Sequence, residues 1–99
     1  MNTILQTAAF SKWLLRLKDN LGKARIIERI RAAERGNFGD SKFLGDRVWE
    51  MRIHSGSGYR VYYMRREMIV YLLLIGGSKA TQQRDIKQAK AMAEKLERG

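Results

Sequence analysis

The sequence predicts an α+β domain, with two N-terminal helices and a C-terminal helix packed on a mainly antiparallel β-meander. Three observations carry this. Apolar residues recur at helical spacing through residues 9–35. Between Val48 and Ile75 the pattern becomes strand-like, with short connections. A final amphipathic stretch, roughly residues 81–97, returns to helical spacing. A chain of 99 residues has room for one core, so residues 1–99 are read as one domain.

Asn2 to Thr7 is compatible with a short strand. Phe10, Trp13, Leu14 and Leu17 then fall at i, i+3, i+4 and i+7, one face of a helix that Thr7 or Ser11 can cap. Asp19-Asn20, with Gly22 close behind, reads as a break. Leu21, Ala24, Ile27 and Ile30 resume the helical spacing, and Gly36 after Arg35 makes a helix stop. Ser41 to Leu44 lies between glycines as a short strand. From Val48 to Ile53 the chain alternates, with Trp49, Met51 and Ile53 on one face and Val48, Glu50 and Arg52 on the other. Gly56-Ser57-Gly58 is a turn, and Tyr59 to Met64 is a strand rich in aromatic and β-branched residues. Arg65 to Glu67 reads as a tight polar connection. Met68 to Ile75 is apolar on both faces, as a strand covered on both sides would be. Short connections imply antiparallel neighbours, since parallel ones need long crossovers. Gly76-Gly77 is expected to end the last strand. Ile86, Ala89, Ala93 and Leu96 mark the closing helix, which Thr81 can cap. The helices are expected on one face of the sheet, leaving the other for a ligand.

Composition narrows the function. With 44% hydrophobic and 30% charged residues, the chain is expected to fold rather than remain disordered. Its longest apolar run, Ile69 to Ile75, is too short to span a bilayer, and Met1 to Phe10 does not read as a signal peptide. No membrane association is expected, and a cytoplasmic location fits. There is no cysteine and one histidine, so neither a thiolate site nor a multi-histidine metal site is expected, and no metal or other cofactor is called for. The net charge of +10 favours a polyanionic partner. Residues 12–35 carry a net +5, and residues 36–66 and 79–99 carry +3 each. The basicity is therefore a folded surface rather than a tail.

Several segments are more specific than this. Gly36-Asn37-Phe38-Gly39-Asp40, Trp49-Glu50-Met51-Arg52-Ile53, Gly56-Ser57-Gly58-Tyr59-Arg60-Val61-Tyr62-Tyr63 and Leu72 to Gln82 occur in this order and spacing. Together with Trp13-Leu14-x-x-Leu17-Lys18-Asp19 and Asp85-Ile86-x-x-Ala89, they resemble the HigB-like, phage-related branch of the RelE/ParE toxin superfamily, the addiction-module killer proteins. The resemblance covers nearly the whole chain. It departs from the family at Ser57, where proline is usual, and at Ser78, where aspartate is usual.

The resemblance implies a RelE/ParE-like fold and a toxin of a toxin–antitoxin pair, with an antitoxin typically of helix-turn-helix type. RelE-like relatives cleave mRNA on the ribosome, whereas ParE-like relatives inhibit DNA gyrase. Fold alone does not choose between these targets. A third alternative is a non-catalytic nucleic-acid-binding homologue.

Metal-free RNA cleavage needs groups that align the 2′-OH, move protons and stabilise charge on the phosphate. Arg52 and Arg60 are the candidates for the phosphate, because guanidinium forks match its oxygens. Solvated sheet residues, or ion pairs with Glu50, are the alternative reading of both. Lys79, after the glycine pair, and Tyr59, beside Arg60, complete the candidate catalytic set. A plain strand-to-helix turn and ordinary strand packing are their alternatives. Lys42, His54, Gln82, Lys23 and Arg29 are candidates for RNA binding, set against ordinary surface roles. Arg25 and Arg31 share the basic face of Lys23 and Arg29, which also suits an acidic antitoxin segment.

Overall fold

The computed structural model describes residues 1–98. The elements run β1 (Thr3–Gln6), α1 (Ala8–Arg16), α2 (Asn20–Glu34), β2 (Ser41–Gly45), β3 (Val48–Ile53), β4 (Tyr59–Glu67), β5 (Val70–Ser78), a 3₁₀ turn (Lys79–Thr81) and α3 (Gln82–Arg98). The fold is α+β, as the sequence predicts. One five-stranded sheet has the order β1-β5-β4-β3-β2. Strands β2 to β5 form an antiparallel meander, and β1 joins its far edge parallel to β5.

Capping residues set the helix starts. Thr7 accepts from the Phe10 N–H at 3.0 Å and donates to the Leu74 carbonyl at 2.6 Å, so one hydroxyl caps α1 and ties it to β5. Asp19 caps α2 by accepting from the Gly22 N–H at 3.0 Å. The α2 stop is a Schellman turn: Gly36 N–H bonds Ala33 O, Asn37 N–H bonds Ala32 O, and Gly36 takes φ +93°. The buried face of α2 is Gly22, Ile26, Ile30 and Ala33, not the face of Leu21, Ala24 and Ile27. Both faces contain apolar residues, and contact with the sheet decides between them.

The helices do not share one side of the sheet. Phe10 of α1 and Ile26, Ile30 and Ala33 of α2 pack against Met51, Ile53, Tyr59, Val61, Tyr63 and Leu73. Ala89 and Ala93 of α3 pack on the opposite face, against Val48, Tyr62, Met64, Leu72 and Leu74. The expectation of an open second face is therefore corrected: α3 covers it. The double-sided apolar run of β5 already required cover on both faces. Each fully buried large apolar side chain contributes about 1.5–3 kcal/mol.

Two connections also differ from the sequence reading. Arg65 to Glu67 belong to β4, and the hairpin turns at Met68-Ile69. Gly76 and Gly77 lie inside β5 rather than ending it. Their lack of side chains has a packing cause. A Cβ at Gly76 would overlap the Trp13 ring on one face of the sheet, and a Cβ at Gly77 would overlap the Asp85 carboxylate on the other. The glycine pair lets α1 and α3 both close onto one strand.

Candidate functional site

Strand alternation and register build the site. Glu50 pairs with Tyr62 and Arg52 with Arg60 across β3 and β4. All four side chains therefore lie on the α3 face, near one end of the sheet. Glu50 is 1% exposed. Its Oε1 lies 3.2 Å from Arg52 Nε, and its Oε2 lies 3.7 Å from Arg60 Nε. Oε2 also accepts from the Tyr62 hydroxyl at 3.1 Å and from Gln82 Nε2 at 2.9 Å. One buried carboxylate thus joins β3, β4 and the first turn of α3.

The electrostatics favour this arrangement. Two arginines directly opposite each other across a sheet repel. Glu50 offsets that repulsion, and the arginines in turn compensate a charge that burial alone would strongly disfavour. Arg60 Nη1 donates to the Gly58 carbonyl at 2.8 Å. Its Nε is buried with no hydrogen-bond partner among the described residues. The Arg52 side chain is 32% exposed and that of Arg60 is 14% exposed, so Arg52 is the more open of the two to solvent. Burial, with Glu50 adding to it, pushes the Tyr62 phenol well above its ordinary value. Tyr62 therefore stays protonated and acts as a donor to Glu50.

Lys79 is exposed on the 3₁₀ turn leading into α3. A Cβ built on Gly58 would lie 3.3 Å from Arg60 Nη1 and 3.5 Å from the Lys79 Cβ, so both residues flank the same loop glycine. Lys79, Thr81, Gln82 and Arg84 line a surface hollow of about 460 Å³. Thr81 does not cap α3 directly. Its hydroxyl accepts from the Ser78 N–H at 3.2 Å and donates to Asp85. Lys42 is the register partner of Glu50 on β2 and is exposed on the same sheet face. Arg52, Arg60 and Lys42 thus share one face of the sheet, with Gln82 bonded to Glu50 there and Lys79 beside the Gly58 loop.

The other candidates lie elsewhere. Tyr59 is on the α1/α2 face, where its hydroxyl donates to Asp19 Oδ2 at 2.8 Å. Burial, then the bond to Asp19, raises its phenol above the ordinary value, while the Gly22 N–H and Tyr59 hold the Asp19 carboxyl below its own. Tyr59 is thus a link between α2 and the sheet. Arg29 is committed to backbone: its guanidinium donates to the carbonyls of Arg52 at 2.5 Å and Phe38 at 2.9 Å. It supports the Arg52 strand from behind and does not present its fork to solvent. Lys23 sits on α2, where its ammonium donates to the Leu15 carbonyl at 3.4 Å. His54 is exposed and pairs with Asp40 at 2.8 Å, a bond that also holds the Asp40 carboxyl below its ordinary value.

Sequence reasoning treated Glu50 only as a possible ion-pair partner and left Tyr62 out of the candidate set. Their role follows from register, which places them opposite one another. The available signal was the spacing: Glu50 and Tyr62 each stand two residues from an arginine on the same alternation face. Among the described residues, no group of three or more His, Cys, Asp or Glu is close enough to hold a metal ion.

Residues 12–97 match the family described as phage derived protein, Gp49-like. An uncharacterized protein of Haemophilus influenzae is 46% identical over 93 residues, which is 94% of each chain.

Proposed function

Because the chain belongs to the phage-derived Gp49-like family, a RelE/HigB-like toxin family of addiction modules, we propose that it is the toxin of a toxin–antitoxin pair and cleaves mRNA on the ribosome. The observation that carries this reading is the Arg52–Glu50–Arg60 constellation, two guanidinium groups oriented by one buried carboxylate. Arg52 and Arg60 hold the scissile phosphate and stabilise its extra charge as the ribose 2′-oxygen attacks phosphorus. The 2′-O–P bond forms and the P–O5′ bond breaks, leaving a cyclic phosphate and a 5′-hydroxyl. Lys79 donates to a phosphate oxygen from the loop beside Arg60. Glu50 is a positioning residue, because its oxygens already serve Arg52, Arg60, Tyr62 and Gln82. Gln82 ties α3 to that carboxylate, and Lys42 extends the basic face along the RNA backbone.

The +10 charge suits docking against ribosomal RNA, with an affinity that falls as salt rises. The partners in this reading are the ribosome with its mRNA and a cognate antitoxin, all in the cytoplasm. The test is a pair of assays on one protein preparation: translation in a purified ribosomal system, and DNA supercoiling by gyrase. The reading requires arrested translation and untouched supercoiling. Inhibited supercoiling with normal translation identifies a gyrase poison and overturns it.

A further inference from the structure

Strand β2 ends the sheet, and among the described residues no strand pairs with its outer edge. The Arg52 N–H bonds the Asp40 carbonyl at 2.9 Å, and two residues on, Lys42 is the register partner of Glu50. In an antiparallel pair, every second residue turns its backbone groups away from the neighbouring strand. Ser41 and Phe43 therefore point their N–H and C=O groups outward. Among the described residues, no backbone group beyond the ladder bonds them.

The side chains on the two faces of this edge differ sharply. On the α1/α2 side, Phe43 is 52% exposed and its register partner Trp49 is 37% exposed. Their ring centroids lie 5.1 Å apart with the planes at 53°, so the pair forms an open apolar notch. Trp49 is steadied from behind by stacking on Tyr63. On the other face Lys42 is exposed and makes no ion pair among the described residues. Its register partner Glu50 is buried and already serves Arg52 and Arg60. Lysines and bulges often blunt a sheet edge. Here the register shift falls after Phe43, which leaves Ser41 to Phe43 regular and open.

We propose that this edge takes an extended, acidic segment of a protein partner as a sixth strand. Outward N–H and C=O groups alternate as only another polypeptide strand matches them. On an added strand, the residue beside Phe43 faces the aromatic notch and is apolar. The residue beside Lys42 faces the opposite side and is acidic. The partner is therefore a segment in which apolar and acidic residues alternate, and the +10 charge of the chain attracts it. A second copy of the chain fits poorly. Pairing that uses both Ser41 and Phe43 sets Lys42 against its own counterpart, and each copy carries the same charge. Single-stranded RNA is also polyanionic, but it stacks on open ring faces, and these two rings are tilted together. The inference does not rest on the RNA-cleavage reading, with which it shares only Lys42.

The test titrates the full, isotope-labelled chain with a synthetic peptide that alternates valine and glutamate, and follows it by NMR. The expected result is a saturable shift of the Trp49 indole N–H. Hydrogen exchange at the Ser41 and Phe43 amides should slow about tenfold or more, as those groups gain partners. The same peptide with lysine for glutamate should bind about tenfold more weakly, because like charges then meet. Ser41→Pro removes one outward N–H while sparing the bonds to β3, and should abolish binding. If Ser41→Pro fails to fold, Lys42→Glu should reverse the order of the two peptides. No saturable shift, equal binding of both peptides, or protection of the same amides by self-association without peptide would each overturn the proposal. So would an oligouridylate that shifts Trp49 where the acidic peptide does not. The readout needs no cleavage, so this proposal and the nuclease reading fail separately.

Discussion

Arg52 and Arg60 stand directly opposite each other on β3 and β4, and both reach the same buried carboxylate, Glu50, at 3.2 and 3.7 Å. Two like charges at register positions are unfavourable without a counter-charge between them. The carboxylate that offsets them also fixes where their outer nitrogens point. Tyr62 and Gln82 hold that carboxylate from β4 and α3. The side chains that order this end of the sheet are therefore the same ones that the proposed reaction uses.

Glu50→Gln keeps the shape but removes the charge that the arginines share. It should cost about 2 kcal/mol, because a buried hydrogen-bond network loses its charge and one of its two acceptor oxygens becomes a donor. In a domain of this size that lowers Tm by roughly 8–16 °C. Adding Arg60→Met should recover part of the loss, since one unpaired charge is then gone. Thermal melts of the single and double variants check this. Strictly additive losses would contradict the pairing.

Arg52→Lys should leave the melt close to that of the parent, because Arg52 is about one-third exposed. Cleavage should nonetheless fall about a hundredfold or more. An ammonium cannot reproduce a planar fork on the phosphate, and losing one donor to developing charge costs that much. Single-turnover cleavage rates on translating ribosomes measure it. A lysine variant as fast as the parent would remove Arg52 from the phosphate site.

Tyr59→Phe should behave in the opposite way. The hydroxyl bonds Asp19 on the face away from the arginines. Its loss should lower stability by about 1 kcal/mol, roughly 4–8 °C in Tm, and leave the cleavage rate intact. A folded Tyr59→Phe protein without activity would bring this tyrosine back into the chemistry.

Acid should loosen the start of α2. The Gly22 N–H, then the Tyr59 hydroxyl, hold the Asp19 carboxyl below its ordinary value. A carboxyl depressed in the folded state stabilises the fold fully above its unfolded value, roughly pH 4. That contribution is lost as pH falls through the lower folded value. Denaturant midpoints between pH 2 and 6 should therefore fall less steeply at the acid end for Asp19→Asn than for the parent. Parallel curves would show that Asp19 does not contribute.

The sequence made the elements legible where one period dominated. Phe10, Trp13, Leu14 and Leu17 mark α1, and all four lie in or against the core under α1 and α2. The two-sided apolar run of β5 is explained by its place between β1 and β4, with helices on both faces. The buried face of α2 was not legible, because Ile26 and Ile27 are equally apolar and only the sheet chooses. At the site, alternation put Arg52 and Glu50 on one face. It also puts Tyr59 and Arg60, neighbours on β4, on opposite faces, but it could not show that Tyr59 bonds Asp19 while Arg60 reaches Glu50. Arg29 read as surface charge because nothing local reveals that it reaches the carbonyls of Arg52 and Phe38. Asp85 was read only as part of the pattern that opens the last helix, because its burial depends on Gly77, eight residues away on another element.

The most direct test of the account is primer extension on a defined mRNA incubated with the protein, with and without actively translating ribosomes. The account predicts cuts in phase with codons, present only with ribosomes and absent when Arg52 and Arg60 are both replaced by alanine in a protein that still folds. Cuts that persist in that double variant, or an mRNA left intact by the parent protein on translating ribosomes, would contradict it.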